Sequence, residues 1–325
     1  MQAVVNTEYG SPDVLQFIDL EKPIPKDDEV LIQVGAVSIN AYDWHLLTAD
    51  IFLVRLMGGG FLKPKITVLG ADVAGWVESV GANVKQFQPG DEVFGDIGSG
   101  GFAEFACVTE KALALKPVNL SFEEAAAVPM AALTALQGLR DNGQIQPGQN
   151  VLIQGASGGV GTFAVQIAKN FGAEVTAVCS TRNLDQARSL GADHLIDYTQ
   201  EDFTKSRQLY DLILAANGYH SIFDYRGALK PNGIYVVAGG TLAQLMQGML
   251  LGRMLSKTGG QRLGVLSAKV SQTDLNFVKE LIEAGKVKPV IDRRYMLKEA
   301  PEALRYLGEG HARGKVVITV ADGKN

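Results

Sequence analysis

A glycine-rich turn, GASGGVG at 155–161, separates an apolar run from a stretch of helix formers. Small residues there let the backbone approach a pyrophosphate, and the free N–H groups and positive dipole end of the following helix point at that anion. Against the dinucleotide fingerprint G-x-G-x-x-G, alanine replaces the first glycine. A sharp turn in any α/β protein can have this sequence, but a strand before it and a helix after it favour a dinucleotide site. The predicted cofactor contacts from the turn are Gly155, Ala156, Gly158, Gly159, Val160 and Gly161.

A polar cluster, Ser180, Thr181, Arg182 and Asn183, follows the apolar strand EVTAVC at 174–179. In NAD-binding folds the end of this strand often has a carboxylate that binds the ribose 2′-hydroxyl. A hydroxyl and a guanidinium instead attract a 2′-phosphate, which arginine can bind through two parallel hydrogen bonds. The alternative is that Ser180 or Asn183 caps the next helix. We predict that Ser180, Thr181 and Arg182 bind the 2′-phosphate of NADPH.

Strand-like and helix-like segments alternate from residue 151 onward, which is typical of βαβ units and of a parallel sheet covered on both faces. Just before them, SFEEAAAVPMAALTALQGL at 121–139 begins with a capping box, Ser121 and Glu124, and is interrupted by Pro129. These elements predict a doubly wound coenzyme domain at residues 121–268. The predicted strands are 151–154, 174–179, 194–196, 211–216, 234–240 and 262–267, and the predicted helices are 159–172, one from residue 183, and 219–229.

Residues 1–115 contain short strands with turn signals, a pattern typical of an all-β domain. After the coenzyme domain come two predicted helices, 271–285 and 298–307, and a closing strand, 314–320. This tail is too long to be part of the parallel sheet. We therefore assign residues 269–325, together with 1–120, to the β-rich domain, and the predicted fold class is α/β.

The composition limits the partners and the compartment. The chain has 325 residues, a net charge of −5 and a pI near 5.5, so it offers no basic field for a phosphate backbone and we expect no nucleic acid partner. Its two cysteines, Cys107 and Cys179, lie far apart in sequence, which fits a reducing cytoplasm. The N-terminus shows no signal-peptide pattern and no apolar stretch is long enough to span a bilayer, so we expect a soluble cytoplasmic protein.

Further motifs join the glycine turn in a series that resembles the medium-chain dehydrogenase/reductase family over nearly the whole chain. Within that family the chain is similar to the quinone oxidoreductase branch, which includes enone reductases and relatives of zeta-crystallin. The resemblance implies a GroES-like β-barrel catalytic domain, a Rossmann coenzyme domain, an active site in the cleft between them, and a homodimer joined at the edges of the coenzyme sheets, where RLGVLS (262–267) is a plausible edge. The motifs are GADVAGWVESVG (70–81), PGDEVFG (89–95), GGFAE (100–104), VPMAALTAL (128–136), GASGGVGTFAVQIAK (155–169), GADHLIDY (191–198) and GKVVI (314–318).

The resemblance also identifies the positions of the catalytic zinc ligands in the zinc enzymes of the family. They correspond here to Asn40, Ala71 and either Met130 or Ala131. None of these side chains replaces the thiolate or imidazole that zinc needs. The four-cysteine lobe that holds a structural zinc is missing too, because that region contains only Cys107.

A carboxylate-rich metal site made of Asp43, His45 and Asp72 is an alternative. The first two of these residues also match the polar cleft of metal-free relatives, and we predict that the protein binds no metal.

The absence of zinc ligands limits the reactions that we expect. Oxidising an alcohol needs a group that acidifies the hydroxyl, which the metal supplies in the zinc enzymes. Without it, we predict hydride transfer from NADPH to an electron-poor acceptor, either a quinone or the β-carbon of an α,β-unsaturated carbonyl. Two alternatives remain: a carbonyl reductase that uses a relay of residues, and an NADPH-binding redox sensor or partner-binding protein with little turnover.

Roles for individual residues follow from the resemblance. Asn40, Tyr42 and Asp43 are the predicted catalytic residues, and Trp44 and His45 the predicted substrate-pocket residues. His45 is either a proton relay or a hydrogen-bonded surface residue. The final proton comes from Tyr42 or from solvent. Additional cofactor contacts are predicted for Thr134, Tyr198, Asn217, Gly239 and Lys315, and Tyr198 has the alternative of packing at a strand end.

Two apolar segments have less specific patterns. The methionine-rich segment 246–261 predicts a helix that covers the sheet or a dimer contact, in preference to a substrate-lining segment. Segment 47–65, with a run of glycines, suits either a pocket wall or ordinary packing in the β-rich domain.

Overall fold

The computed structural model describes residues 1–50, 60–256 and 260–320. Its contacts divide the chain into two compact units. The first unit consists of Met1–Met130, Val270–Gly285 and the chain from Pro289 onward, and the second unit consists of Ala131–Lys269 and Lys286–Lys288. Residues 51–59, the middle of the apolar segment 47–65, lie outside the described residues, and so do residues 257–259 of the methionine-rich segment.

The bounds of the elements are as follows. The strands are β1 Gln2–Asn6, β2 Leu15–Asp19, β3 Glu29–Ile39, β4 Asp72–Val80, β5 Glu92–Asp96, β6 Phe105–Thr109, β7 Leu113–Leu115, β8 Asn150–Gln154, β9 Glu174–Cys179, β10 His194–Asp197, β11 Tyr210–Ala215, β12 Leu229–Val237, β13 Arg262–Val265, β14 Ile291–Met296 and β15 Lys315–Thr319. The α-helices are α1 Ala41–Thr48, α2 Phe122–Ala126, α3 Pro129–Gln137, α4 Gly159–Asn170, α5 Leu184–Ser189, α6 Ile222–Gly227, α7 Leu242–Leu255, α8 Gln272–Glu283 and α9 Ala300–Gly308.

The first unit is built on a sheet with the strand order β14-β15-β3-β4-β5-β7, and β6 also pairs with β3. All neighbours are antiparallel except β14 and β15, which are parallel. Nine of the eleven residues of β3 are buried, Glu29 at its start is half-buried, and Gln33 is exposed. Strand β3 is therefore the centre of this unit, and β15 reaches it from the C-terminal part of the chain, as the assignment of the tail to this unit predicts.

The boundary between the units differs from the predicted one at residue 121. The predicted capping box is present, with Ser121 Oγ accepting from the backbone N–H of Glu124. The helix that it starts belongs to the first unit, however, because the Phe122 ring lies 4.1 Å from the Trp76 ring of β4 and Glu123 pairs with Arg294 at 3.0 Å. Packing on a distant strand thus moves the boundary to the residue after Met130.

The second unit is a parallel sheet with the strand order β10-β9-β8-β11-β12-β13. Counted from β8 as the first strand, this is the order 3-2-1-4-5-6 of a Rossmann fold. The strands and helices lie close to their predicted positions, with one difference: β12 begins at Leu229, earlier than predicted. The order reverses between β8 and β11, so the loops after these strands open a crevice at the carboxyl edge of the sheet.

Helix α7 covers β13 through its glycines. A Cβ atom on Gly248 would lie 2.6 Å from Val265 Cγ2, and one on Gly252 would lie 2.6 Å from the Leu263 carbonyl oxygen. The helix thus packs on the sheet, as one of the predicted roles requires, while Met249 and Met254 on it are exposed. Within residues 1–50, 60–256 and 260–320, none of the helices is long and apolar enough to cross a membrane.

Candidate active site

Predicted cofactor residues of the second unit gather at the carboxyl edge of its sheet. Ala215, the last residue of β11, is the register partner of both Gln154 in β8 and Val237 in β12. The loops after these strands therefore start side by side, which is where α/β folds of this kind bind ligands. Four predicted residues each follow one strand: Gly155 after β8, Ser180 after β9, Asn217 after β11 and Gly239 after β12.

The glycine turn has the geometry of an anion-binding loop. Gly155 has a φ of +77°, which favours glycine, and a Cβ atom on Gly161 would lie 2.0 Å from the Gly155 carbonyl oxygen. Gly158 precedes helix α4 and no side chain caps that helix, so its first N–H groups are free to bind an anion. A Cβ atom on Gly158 would meet nothing nearer than 3.6 Å. The uncapped N–H groups and the open space beside Gly158 are compatible with the predicted pyrophosphate site.

Asn183 links this turn to the end of β9. Its Nδ2 donates to Ser157 Oγ at 3.0 Å and to Ser180 Oγ at 3.1 Å, while its Oδ1 is buried without a partner. Neither Ser180 nor Asn183 makes a side-chain capping bond. Both residues thus occupy N-cap positions without a side-chain capping bond, and the Asn183 amide instead fixes the position of Ser180 beside the glycine turn.

A carboxylate that the sequence reasoning missed lies next to the predicted phosphate site. Asp197 ends β10 opposite Cys179, and it accepts hydrogen bonds from the hydroxyl of Thr181 and from the N–H and hydroxyl of Thr199, at 3.0 and 2.7 Å. These bonds, that of Thr181 first, lower the pKa of Asp197. The Thr181 hydroxyl thus donates its hydrogen bond to Asp197. The contacts of Ser180 and the exposed Arg182 with a 2′-phosphate stay predictions.

The other predicted cofactor residues of the second unit are placed as follows. Tyr198 is exposed, and its ring lies edge-on to that of Tyr219 with centroids 6.1 Å apart. Asn217 approaches the glycine turn, because a Cβ atom on Gly155 would lie 2.9 Å from the Asn217 Cβ. Thr134 is buried within α3. Their contacts with a cofactor stay predictions.

The first unit contains a buried cluster of charged side chains, Asp43, Asp72, Asp96 and Lys315, here called the acid–lysine cluster. The strand register explains it: Asp72 of β4 lies opposite both Ser38 of β3 and Asp96 of β5. Residues directly opposite each other share one face of a sheet. Three carboxyl groups therefore meet one ammonium group in the interior.

Asp72 is the best-supported carboxylate of the cluster. Its Oδ2 accepts from Asn40 Nδ2 at 2.9 Å and lies 3.4 Å from Lys315 Nζ, and its Oδ1 accepts from the backbone N–H of Met130 at 3.0 Å. Burial raises the pKa of Asp72, and the Lys315 ammonium opposes this shift. Met130 lies in the first turn of α3, whose dipole also favours a negative charge there.

Asp43 and Asn40 form the capping box that begins α1. Asp43 Oδ2 accepts from the Asn40 N–H at 2.8 Å, and its Oδ1 accepts from the Gly70 N–H at 2.9 Å. Burial nevertheless raises the pKa of Asp43 to about 6. The Asn40 side chain is engaged at both ends, because its Oδ1 accepts from Lys315 Nζ. The predicted catalytic residues Asn40 and Asp43 are thus brought together with Lys315.

Lys315 was predicted to contact the cofactor. It is 3% exposed, and the structure directs its ammonium to Asn40 and Asp72 inside the first unit. The structure supports a role for Lys315 within the first unit, in which its ammonium neutralises Asp72 and orients the Asn40 amide.

Asp96 is the second carboxylate missed by the sequence reasoning. One oxygen accepts from the Gly98 N–H at 3.0 Å, and Asp96 makes no other hydrogen bond with the described residues. Burial first, and then the negative charge of Asp72, raise the pKa of Asp96 to about 7. The only signal for it in the sequence was an aspartate at the end of the strand in PGDEVFGD, and that position alone carries no indication of burial beside Asp72.

The remaining predicted residues lie on α1. Tyr42 is 41% exposed, and burial raises the pKa of its hydroxyl. The Trp44 ring packs against Gly308 of α9, since a Cβ atom there would lie 2.4 Å from it. His45 Nδ1 lies 2.8 Å from Asp50 Oδ1 in an exposed pair. Packing of Trp44 and pairing of His45 account for their positions, and their contacts with a substrate stay predictions.

The zinc ligand positions do not suit zinc. Asn40 is hydrogen bonded at both ends of its amide, and Ala71 is an apolar residue buried in the core. Across the part of the chain that the structure describes, no group of three or more His, Cys, Asp or Glu side chains is placed to hold a metal ion. We therefore derive no step through zinc.

Comparison with known proteins places these features in a family. Residues 26–118 match the family model described as alcohol dehydrogenase GroES-like domain, and residues 190–318 match the one described as zinc-binding dehydrogenase. These matches confirm the predicted GroES-like domain beside the Rossmann sheet.

Two relatives and one solved structure are similar over the full chain. The 2-methylene-furan-3-one reductase of Solanum lycopersicum is 39% identical over 98% of this chain and 79% of its own length. The chloroplastic NADPH-dependent alkenal/one oxidoreductase of Arabidopsis thaliana is 35% identical with the same two coverages. The structure of the quinone oxidoreductase from Coxiella burnetii is 30% identical, with a TM-score of 0.86 and 99% of each chain covered.

We expect Gly161→Ala and Gly158→Ala to have different effects. The first substitution puts a Cβ against the Gly155 carbonyl, so it destabilises the protein without cofactor by about 1–3 kcal/mol. The second fills the open space before α4, so it preserves stability without cofactor but weakens NADPH binding. Thermal unfolding with and without NADPH measures both effects. Wild-type stability of the Gly161 variant would contradict the packing argument.

The raised pKa of Asp96 makes stability depend on pH. The folded protein holds a proton on this group up to about pH 7, whereas a carboxyl with the ordinary value of 3.8 releases it, so stability falls as the pH rises through that interval. For Asp96 alone the loss is at most about 4 kcal/mol. We expect the unfolding temperature to fall between pH 5 and pH 8 in both proteins, because the pKa of Asp43 is raised as well, and to fall clearly less in Asp96→Asn than in wild type. Equal pH dependence in both proteins would show that Asp96 is ionised throughout.

Proposed function

The chain belongs to the medium-chain dehydrogenase/reductase superfamily, in the branch of the NAD(P)H-dependent quinone and alkenal/one oxidoreductases, and from this premise we propose that it is an NADPH-dependent, zinc-independent reductase. The proposed reaction transfers hydride to a quinone or to the β-carbon of an α,β-unsaturated carbonyl. The observation that carries the proposal is the replacement of zinc ligands by Asn40, whose amide is hydrogen bonded at both ends within the chain, and by the buried Ala71.

The second unit would hold the cofactor. The free N–H groups at the start of α4 suit the pyrophosphate, and Ser180 and Arg182 suit the 2′-phosphate. When bound, NADPH supplies the hydride. The role of this chain is to orient the cofactor along the carboxyl edge of the sheet and to provide polar groups for the acceptor.

The proposed acceptor is electron-poor, because Asn40 and Ala71 at the zinc ligand positions do not suit the metal that would activate an alcohol. Quinones and enones both have a carbon conjugated to a carbonyl group, and a single hydride transfer leaves negative charge on the oxygen. The Asn40 amide and the acid–lysine cluster supply polar and protonated groups at the residues predicted to be catalytic. The names of the relatives, a 2-methylene-furan-3-one reductase and an alkenal/one oxidoreductase, and of the Coxiella quinone oxidoreductase support the same pair of acceptor classes.

We also propose a cytoplasmic location and a homodimer. Cys107 and Cys179 are both free thiols, as in a reducing compartment. Strand β13 ends the order of the described coenzyme sheet, so its outer edge is available to a second copy. Sedimentation of the purified protein measures the oligomeric state, and a monomer at all concentrations would contradict the dimer.

The reaction is tested by NADPH oxidation with EDTA-treated protein, using a short-chain enone and a small benzoquinone in parallel. We expect turnover with at least one of them, undiminished by EDTA because no zinc takes part. The faster acceptor identifies the substrate class. NADPH binding without turnover of either would overturn the reductase proposal in favour of a redox sensor or partner-binding protein.

The cofactor preference is tested by Arg182→Ala. Loss of a charge-assisted bond to the 2′-phosphate should weaken NADPH binding about 10-fold to 100-fold and leave NADH binding unchanged. Arg188→Ala is the matched control, since Arg188 pairs with Asp185 on the exposed side of the next helix. Calorimetric titration with both nucleotides measures the effect. An equal loss for NADPH and NADH in the Arg182 variant would refute a phosphate contact.

A further inference from the structure

The reduction needs a proton as well as a hydride, and the first unit contains a buried acid suited to give it. Resting on the proposed function, we propose that Asp96 is the proton donor: its carboxyl group stays protonated within the acid–lysine cluster and passes its proton to the reduced acceptor. Asp96 then supplies the final proton of the reduction, for which the sequence indicated only Tyr42 or solvent.

The hydrogen bonds decide which carboxyl group holds the proton. Asp72 has Asn40, Lys315 and the Met130 N–H as donors, and Asp43 has two backbone N–H groups. Asp96 has the Gly98 N–H alone. Donors stabilise the ionised form. The carboxyl group with the fewest donors is therefore the last to ionise.

The balance of buried charges also indicates that Asp96 is the protonated carboxyl group. One ammonium, that of Lys315, faces three carboxyl groups, and the register places Asp96 directly opposite Asp72. Like charges opposite each other on neighbouring strands are destabilising, and a buried charge without a partner costs several kcal/mol. A proton on Asp96 removes both penalties. The titratable groups around it are Asp72 on β4, Asp43 and Tyr42 on α1, and Lys315 on β15.

Accessibility separates Asp96 from its neighbours. Asp43 and Asp72 are fully buried, whereas Asp96 is 8% exposed and its second oxygen makes no hydrogen bond with the described residues. This oxygen is free to hold a proton and to release it outward. Tyr42 is a weaker candidate, because burial and the neighbouring carboxylates raise the pKa of its hydroxyl and make it a poorer acid. The pKa of Asp96, about 7, matches the range in which a general acid works best.

The reduction of an enone consists of a hydride transfer and a proton transfer. When bound, NADPH would supply the hydride and be oxidised to NADP⁺, so the C–H bond broken on the cofactor would be replaced by a C–H bond at the β-carbon. The π electrons of the alkene then move to give an enolate. The O–H bond of Asp96 then breaks, and its proton bonds to the enolate carbon or oxygen. The Asp96 carboxylate regains a proton from water. With a quinone, the same proton goes to the oxygen of the hydroquinone anion.

The first test locates the proton without any cofactor. Infrared spectra of the protein, recorded between pH 5 and pH 9, should show a protonated carboxyl band that disappears near pH 7. The component lost near pH 7 should be missing in Asp96→Asn, which keeps the Asp43 component lost near pH 6, and should be present in Asp28→Asn, a control that removes an exposed carboxylate of the same unit. A wild-type spectrum without the component lost near pH 7, or the same component in the Asp96 variant, would overturn the proposal.

The second test asks whether the proton is used. With the acceptor that wild type reduces, Asp96→Asn should lower the rate about 100-fold or more, the usual contribution of a general acid. Wild-type turnover should decline as the pH rises past neutrality, whereas the residual activity of the variant should lack that decline. A variant with the rate and pH profile of wild type would refute the donor role and leave the proposed function intact. Absence of turnover in wild type would instead refute the proposed function and the donor role with it, while the infrared band still locates the proton.

Discussion

A buried ammonium must have a carboxylate partner, and in this chain the pair of Lys315 and Asp72 satisfies that constraint. Lys315 begins the strand β15 and Asp72 begins β4, with β3 between them in the sheet. Asn40, at the end of β3, bridges the two side chains. The pair therefore determines which face of the sheet is polar and how the Asn40 amide is oriented. It also requires the C-terminal part of the chain, which supplies Lys315, to pack on the first unit.

In the second unit the corresponding constraint is the close approach of backbone to backbone in the glycine turn. No side chain fits between residue 161 and the Gly155 carbonyl, and the helix that follows is left without a cap. The polar residues at the ends of β9 and β10 complete the edge, with Asp197 binding Thr181 and Asn183 binding Ser180. A ligand with two anionic groups, one in front of the helix and one near Arg182, complements this arrangement.

Local sequence patterns predicted much of the fold. The glycine turn, the capping box at Ser121 and the alternation of strands and helices depend on residues close together in the chain, and the structure has all three. Long-range register is a different matter. That Asp96 lies opposite Asp72, and Asp197 opposite Cys179, follows from strand pairing that no local pattern specifies. The predicted boundary at residue 121 differs from the division of the contacts after Met130 for the same reason, because Phe122 packs on a ring far away in sequence.

The return of the C-terminal strand to the first unit has a consequence for biosynthesis. Residues 131–269 leave the ribosome as a continuous segment and contain all six strands of their sheet. The first unit is begun earlier but completed later, because β3 lacks one of its neighbours until β15 is made. Until then Asp72 has no ammonium partner. The nascent chain thus carries an unfinished N-terminal sheet during the synthesis of nearly two hundred further residues. During that period its exposed strand edge is open to misassembly with other chains and needs the protection that chaperones give.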